Sequence, residues 1–220
     1  MTTALEATDL FRFFHAGDEE TVALRGVSMS VAAGEMVAVT GPSGSGKSTL
    51  LSCLAGLDEP DGGMVRVAGH NVSRRPEGER ARLRARHIGV LFQSSNLLEH
   101  LTVEENVVLA QRLSGRVDGA RRTSLLADLG LATRAHAYPS QLSGGETARA
   151  GLAVAIANAP DVLLADEPTG ELDADAEQNV LGLMRGHADH GGAVVVVTHS
   201  PRVAAAAERT IALSDGQVEA

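Results

Sequence analysis

Gly41-Pro42-Ser43-Gly44-Ser45-Gly46-Lys47-Ser48 decides the fold of this 220-residue chain. Lys47 is its only lysine, and the other eighteen basic residues are arginine. A composition that uses arginine everywhere else and keeps lysine here needs a compact point charge at this position. The spacing matches G-x-x-x-x-G-K-[ST], a loop that cradles nucleotide phosphates. Its glycines, Gly41, Gly44 and Gly46, let backbone N–H groups converge on phosphate oxygens. Lys47 is expected to reach the β and γ phosphates, and Ser48 to offer its hydroxyl to Mg²⁺. Ser43, Ser45 and Thr49 complete the cradle, with the N–H groups of residues 44–49 holding the remaining oxygens.

The flanks of the loop agree with this reading. Glu35 to Thr40 has the pattern of a short buried strand, and Ser48 to Ala55 that of a helix closed by Gly56. Strand, loop and helix in that order aim a helix N-terminus at an anion.

Composition bounds the rest. Apolar residues make up 44% of the chain, enough for a sizeable core, but aromatics only 2%, so that core is built of Ala, Val and Leu. Nineteen basic against 28 acidic residues give a net charge of −9, which argues against a general nucleic-acid binder. A single cysteine, Cys53, excludes a disulfide framework and fits a reducing compartment. Its place in the helix after the loop suggests a packed thiol. No signal peptide is visible at the N-terminus, and the apolar run Ala193 to Val197 is far short of a membrane span. A soluble, cytoplasmic chain without direct membrane insertion is expected.

Strand-like segments occur near Leu5–Leu10, Glu35–Thr40, Met64–Val67, Ile88–Phe92, Val162–Ala165, Ala193–Thr198 and Thr210–Leu213. Those at 35–40, 162–165 and 193–198 are near-continuous apolar runs, as in strands covered on both faces. Gly17 to Glu20 and Pro60 to Gly63 carry turn chemistry. Between about Ser94 and Asn158 helical periodicity dominates, over Val103–Leu113, Ala120–Leu129 and Glu146–Asn158. An α/β nucleotide-binding core of residues 1–93 and 159–220 with a helical insertion at 94–158 is the simplest account.

Two strand ends carry candidate chemistry. Val162-Leu163-Leu164-Ala165 runs into Asp166 and Glu167. In phosphate-loop enzymes a carboxylate at such a strand end holds Mg²⁺, which suits Asp166; a neighbouring one can orient and deprotonate water, which suits Glu167. Ala193 to Thr198 repeats the design and ends at His199, the one histidine at the end of an apolar strand run, placed to contact the γ phosphate or the attacking water. His187 and His190, beside Gly191-Gly192, lack a carboxylate or cysteine cluster and suggest a solvated helix end rather than a metal site.

Leu142-Ser143-Gly144-Gly145-Glu146 precedes the third helical stretch. Ser143 and Glu146 have capping-box spacing. The two glycines after the cap are poor helix formers, so capping alone does not explain them. They make sense if a second phosphate approaches that backbone.

At this point the chain resembles the ATP-binding-cassette (ABC) ATPases, motif by motif and over nearly its whole length. Leu142 to Glu146 is similar to their signature, Gly41 to Ser48 to their phosphate loop. The resemblance implies a fold with a phosphate-loop (RecA-like) core, an antiparallel β subdomain and an inserted α-helical subdomain. It implies that Phe14 stacks on adenine and that Gln93 contacts Mg²⁺ and water and couples to a membrane partner. It makes Asp166 a metal-site aspartate, Glu167 the catalytic glutamate and His199 the switch histidine, with Lys47 acting beside them. Asp173, in Glu171-Leu172-Asp173, would cross to the opposite subunit. ATP and Mg²⁺ are the implied cofactors. The implied assembly is a head-to-tail homodimer, in which Ser143, Gly144, Gly145 and Glu146 of one chain close on ATP held by the other, attached to an integral-membrane permease.

The stretches Leu83 to Gly89 and Leu97 to Val107, with Pro139-Ser140-Gln141, are similar to the macrolide-export and lipoprotein-release ATPases, and the cell-division ATPase is related. Phe14 replaces the commoner tyrosine, Glu171 a small or amide residue, and Val154 stands where relatives usually carry arginine. A non-transporting ATPase that regulates a membrane partner is the alternative. A DNA-repair ATPase fits less well, because those usually carry long coiled coils or zinc modules between the motifs and here only about fifty residues separate Gln93 from Ser143. The arginines between Arg74 and Arg86 are interleaved with Glu77 and Glu79 and suggest a solvated, mixed-charge helix face.

Overall fold

The computed structural model describes residues 2–16, 19–93, 96–170 and 172–219. Gly17 and Asp18 of the expected turn, the expected boundary residue Ser94, and Glu171 lie outside them. A central six-stranded sheet is built from β3 (Met36–Thr40), β6 (Ile88–Leu91), β7 (Val162–Asp166), β8 (Ala193–Val197), β9 (Arg209–Ser214) and β10 (Gln217–Val218). Its order is β10-β9-β3-β8-β7-β6, parallel throughout except for β10. A second, antiparallel sheet has the order β2-β1-β4-β5, from β1 (Thr3–Ala16), β2 (Glu19–Ala32), β4 (Gly62–Val67) and β5 (His70–Asn71). The helices are α1 (Lys47–Leu54), α2 (Glu77–His87), α3 (Val103–Ser114), α4 (Gly119–Asp128), α5 (Gly144–Ile156), α6 (Ala174–Asp189) and α7 (Pro201–Ala205).

The apolar strand runs divide the core by their two-residue period. In β8, Ala193, Val195 and Val197 face α1 and the antiparallel sheet, where they join Leu50, Leu54, Leu10 and Val27. Val194 and Val196 face the other way, toward Val107, Leu125, Leu152 and Met184 of α3, α4, α5 and α6. Each such buried Val or Leu contributes about 1.5–3 kcal/mol. The helices between β6 and β7 therefore share a core with the sheet and α6. Cys53 is buried in the first of these cores, and burial pushes its thiol pKa up to about 12.

Several sequence expectations change. Strand β1 runs over Thr3–Ala16 rather than Leu5–Leu10, and Glu19 and Glu20 of the expected turn belong to β2. The long strand β2 was not legible, because its alternation slips at Gly26. Val22 and Leu24 carry the period before it and Val27, Met29 and Val31 after it, and the pairing register with β1 shifts there. Helix α5 begins at Gly144 rather than Glu146 and ends at Ile156 rather than Asn158. The Ser143 cap fixes the start, so both glycines are drawn into the first turn. At the other end the Asn158 amide donates to the carbonyls of Ala85 and Ala110, outside the helix. Finally, His187 is not a solvated helix end. It is half-buried, packs against Gly192, and has its pKa lowered by that burial and by Arg121.

Candidate functional site

The phosphate loop leaves β3 and enters α1 over Gly41 to Gly46. A side chain at Gly41 would lie 2.0 Å from the Leu213 carbonyl oxygen, and one at Gly46 would lie 2.4 Å from that of Ala23. Neighbouring backbone thus fixes both positions as glycine. Gly44 is different: its φ is +79°, and nothing lies within 4 Å of where a side chain would begin. It faces the open cleft.

Lys47 Nζ folds back on its own loop. It donates to the carbonyls of Gly41 at 2.9 Å and Pro42 at 2.7 Å, and to Ser45 Oγ at 3.4 Å. The N–H of Ser45 donates to Pro42 at 3.2 Å, and its carbonyl accepts from the Gly216 N–H at 3.0 Å. The turn between β9 and β10 therefore supports the loop from behind. Gly216 in turn accepts from the Arg25 N–H at 2.8 Å, tying the turn to β2.

Asp166 ends β7 beside this loop. It accepts a hydrogen bond from Ser48, while burial and the neighbouring Glu167 carboxylate raise its pKa. Glu167 has φ +45°, a left-handed conformation costing a non-glycine residue about 1–3 kcal/mol and found where surrounding structure enforces it. The enforcing contacts are visible. Its N–H donates to the Val197 carbonyl at 2.9 Å, and its carboxylate accepts from Thr198 Oγ1 at 3.0 Å, the His199 N–H at 2.9 Å and His199 Nδ1 at 2.7 Å. Thr198 is fully buried, and its hydroxyl also accepts from the Ser200 N–H at 3.0 Å. Adjacent strand ends thus hold one carboxylate with three donors.

A cleft of about 640 Å³ brings together Phe14, Gly41, Ser43, Gly44, Gly46, Lys47, Ser48, Thr49, Gln93, Asp166, Glu167 and His199. Arg12 lies over the Phe14 ring, 4.6 Å from its centroid, and is itself anchored by Asp58 and Asp61. Thr21, Val22, Ala23, Arg25 and Asp215 also line the cleft and were not foreseen. The Asp215-Gly216 pair was the one available signal, as a hairpin dipeptide.

Ser143, Gly144, Gly145 and Asp173 are elsewhere. They line a second cleft of about 480 Å³ with Arg149 and Asp175, and no residue lines both clefts. Ser143 Oγ accepts from the Glu146 N–H at 3.3 Å, and the Glu146 carboxylate accepts from the Ser143 N–H at 2.8 Å. Glu146 also pairs with Arg134 at 2.8 Å and does not line the cleft. The Ser143 N–H and then Arg134 lower its pKa to about 2. Asp173 caps α6 by accepting from the Ala176 N–H at 2.8 Å.

Comparison with known proteins agrees with this geometry. The sequence profile of the ABC transporter family matches residues 24–170. The macrolide export ATP-binding/permease proteins MacB of Shigella flexneri and of Escherichia coli (strain K12) are each 44% identical over 221 residues, covering 99% of this chain. The chain spans only 34% of their length. Among solved structures, a dimeric post-hydrolysis state of the ATP-binding cassette MJ0796 bound to ADP and Pi superposes with a TM-score of 0.90. It is 36% identical and covers 98% of this chain and 97% of that one. A further dimeric structure of MJ0796, described as a bacterial ABC transporter cassette, gives 0.89 at 37% identity. The phosphate loop, the strand-end carboxylates, the capped diglycine helix and these likenesses lead to one conclusion: this chain belongs to the ABC transporter family, as an ATP-hydrolysing cassette.

Proposed function

We propose that two copies of this chain bind head to tail around two ATP molecules and drive a membrane permease of the macrolide-export type. The division of the site residues between two unshared clefts carries this reading. One holds phosphate-loop and strand-end chemistry, the other a helix start suited to an anion. Neither is complete alone, and a second copy supplies the missing half of each.

Within one composite site, Lys47 leaves the carbonyls of Gly41 and Pro42 for the β and γ phosphates, and the loop N–H groups hold the remaining oxygens. The exposed surface of Phe14 stacks on the base. Ser48, Gln93 and Asp166 present only oxygen donors, as a hard divalent cation requires, so these residues fit Mg²⁺. When bound, the ion neutralises charge that develops on the phosphate oxygens. Glu167 accepts a proton from the attacking water. His199, whose Nδ1 is tied to Glu167, holds that carboxylate in place and presents the rest of its exposed ring to the γ phosphate. From the opposite chain, Ser143 and the N–H groups of Gly144 and Gly145 close on the same phosphate, while Glu146 locks the helix start. The chemistry is positioning and charge stabilisation.

Coupling to the permease is assigned to the surface around Gln93 and the helical insert, where a half-open apolar cleft of about 390 Å³ includes Val90, three residues before Gln93. The cleft lies between α2, α3 and α5 and is walled by Ala85, Val90, Ala110, Leu113 and Val154. Leu113 is 70% exposed. Val154 replaces the relatives' arginine with an apolar wall. Residues 94–158 act here as the helical subdomain, and the chain sits peripherally on the cytoplasmic face of the membrane.

Ser143→Arg separates this arrangement from a self-contained site. ATP affinity should be retained, because the phosphate-loop cleft is untouched, and phosphate release should fall at least a hundredfold. Normal hydrolysis by Ser143→Arg contradicts the composite site.

A further inference from the structure

Helix α2 presents three faces with different partners. Glu77, Arg80 and Arg84 form a charge-compensated face. Arg80 pairs with Glu59 at 2.6 Å and with Glu77 at 2.8 Å, and Arg84 pairs with Glu77 and donates to the Gly56 carbonyl. Ala81 and Ala85 face the apolar cleft assigned above to the permease, joined there by Ile88 of β6. Glu79, Arg82, Leu83 and Arg86 follow helical spacing along the third face. With His70, Arg75 and His87 they line a separate concavity of about 290 Å³.

The charges of that third face do not cancel. Glu79 is tied to Arg75 at 2.9 Å, and His87 to Asp161 at 2.8 Å. Arg82 and Arg86 are exposed and, among the described residues, have no acidic or hydrogen-bonding partner. Six of the chain's eighteen arginines fall between residues 74 and 86, in a protein whose net charge is −9. Two free guanidinium forks one helical turn apart, at the edge of a concavity, offer paired N–H donors to the oxygens of a phosphate diester. Arg82 also lines the permease cleft, so the concavity opens beside the surface where a membrane partner would dock.

We propose that Arg82 and Arg86 hold the phosphate of an anionic phospholipid headgroup, seating the cassette on the membrane surface beside its permease. The inference rests on the reading that the adjoining cleft faces a membrane partner. It gives a role to two uncompensated arginines set one helical turn apart on a single face of α2. The net charge of −9 opposes a general approach to the same membrane, so binding depends on a local pair of cations.

Co-sedimentation of the full chain with phosphatidylcholine vesicles, with and without phosphatidylglycerol, tests it without permease or nucleotide. Binding is expected only to the phosphatidylglycerol vesicles and should weaken as salt rises. Arg82→Ser/Arg86→Ser should bind about thirtyfold more weakly, since an arginine near an anionic surface contributes about 1 kcal/mol. Arg66→Ser/Arg116→Ser changes net charge equally at exposed sites elsewhere and should bind normally. Equal loss in both double variants, or no binding to anionic vesicles, overturns the proposal. Inorganic phosphate that binds as tightly as the vesicles overturns the lipid assignment. Permease capture by the Arg82→Ser/Arg86→Ser chain, scored separately, reports on the docking cleft.

Discussion

Glu167 accepts from both the backbone N–H and the Nδ1 of His199, at 2.9 and 2.7 Å, so the last residue of one strand-end turn fixes the carboxylate of the next. As the proposed general base, Glu167 held in this way is expected to contribute about 10²–10⁴ to the rate. Glu167→Gln should lower phosphate release by that factor while leaving ATP affinity unchanged. His199→Ala frees the same carboxylate and should lower kcat with little change in KM. Steady-state kinetics and calorimetry on both variants read these outcomes. Full activity in Glu167→Gln would remove it from its role.

Among the described residues Lys47 Nζ hydrogen-bonds to oxygens of its own loop, so the core does not depend on it. Lys47→Ala should keep its thermal midpoint and lose most ATP affinity. Unchanged binding by calorimetry contradicts the phosphate-loop assignment.

The sequence made the loop, the buried strands and the strand-end residues legible, because each is a contiguous pattern. Val162 to Asp166 and Ala193 to Val197 announce themselves as apolar runs ending in polar groups. Three things were not legible. The Gly26 bulge scrambled the alternation of β2, hiding the strand that supplies Val22, Ala23 and Arg25 to the cleft. Thr198 looked like the end of a strand, and its grip on Glu167 exists only because β7 and β8 are adjacent and in register. The separation of Ser143 from Lys47 into different clefts is a matter of topology that spacing along the chain does not carry.

Gly89 in β6 packs directly on α5, and a side chain there would lie 2.3 Å from the Ala155 carbonyl oxygen. Gly89→Ala should force the helix away from the sheet and cost about 1–3 kcal/mol, as overpacked cores do. Urea denaturation measures this, and an unchanged midpoint contradicts the packing described.

Glu146 ionises at about 2 in the folded chain, against an ordinary 4.5. A depressed carboxyl pKa stabilises the fold above the unfolded value and loses that contribution as pH falls through the folded value. The stability difference between the parent and Glu146→Gln should therefore be constant above about pH 5 and shrink steadily toward pH 2. Denaturation midpoints across that range read it, and a difference independent of pH contradicts the bond to Ser143.

The paired-cleft arrangement is tested most directly by light scattering on Glu167→Gln with Mg²⁺ and ATP. Twice the protomer mass is expected with nucleotide, the protomer mass without it, and the protomer mass again when Ser143→Arg is added. A particle that stays at the protomer mass with saturating ATP contradicts the account.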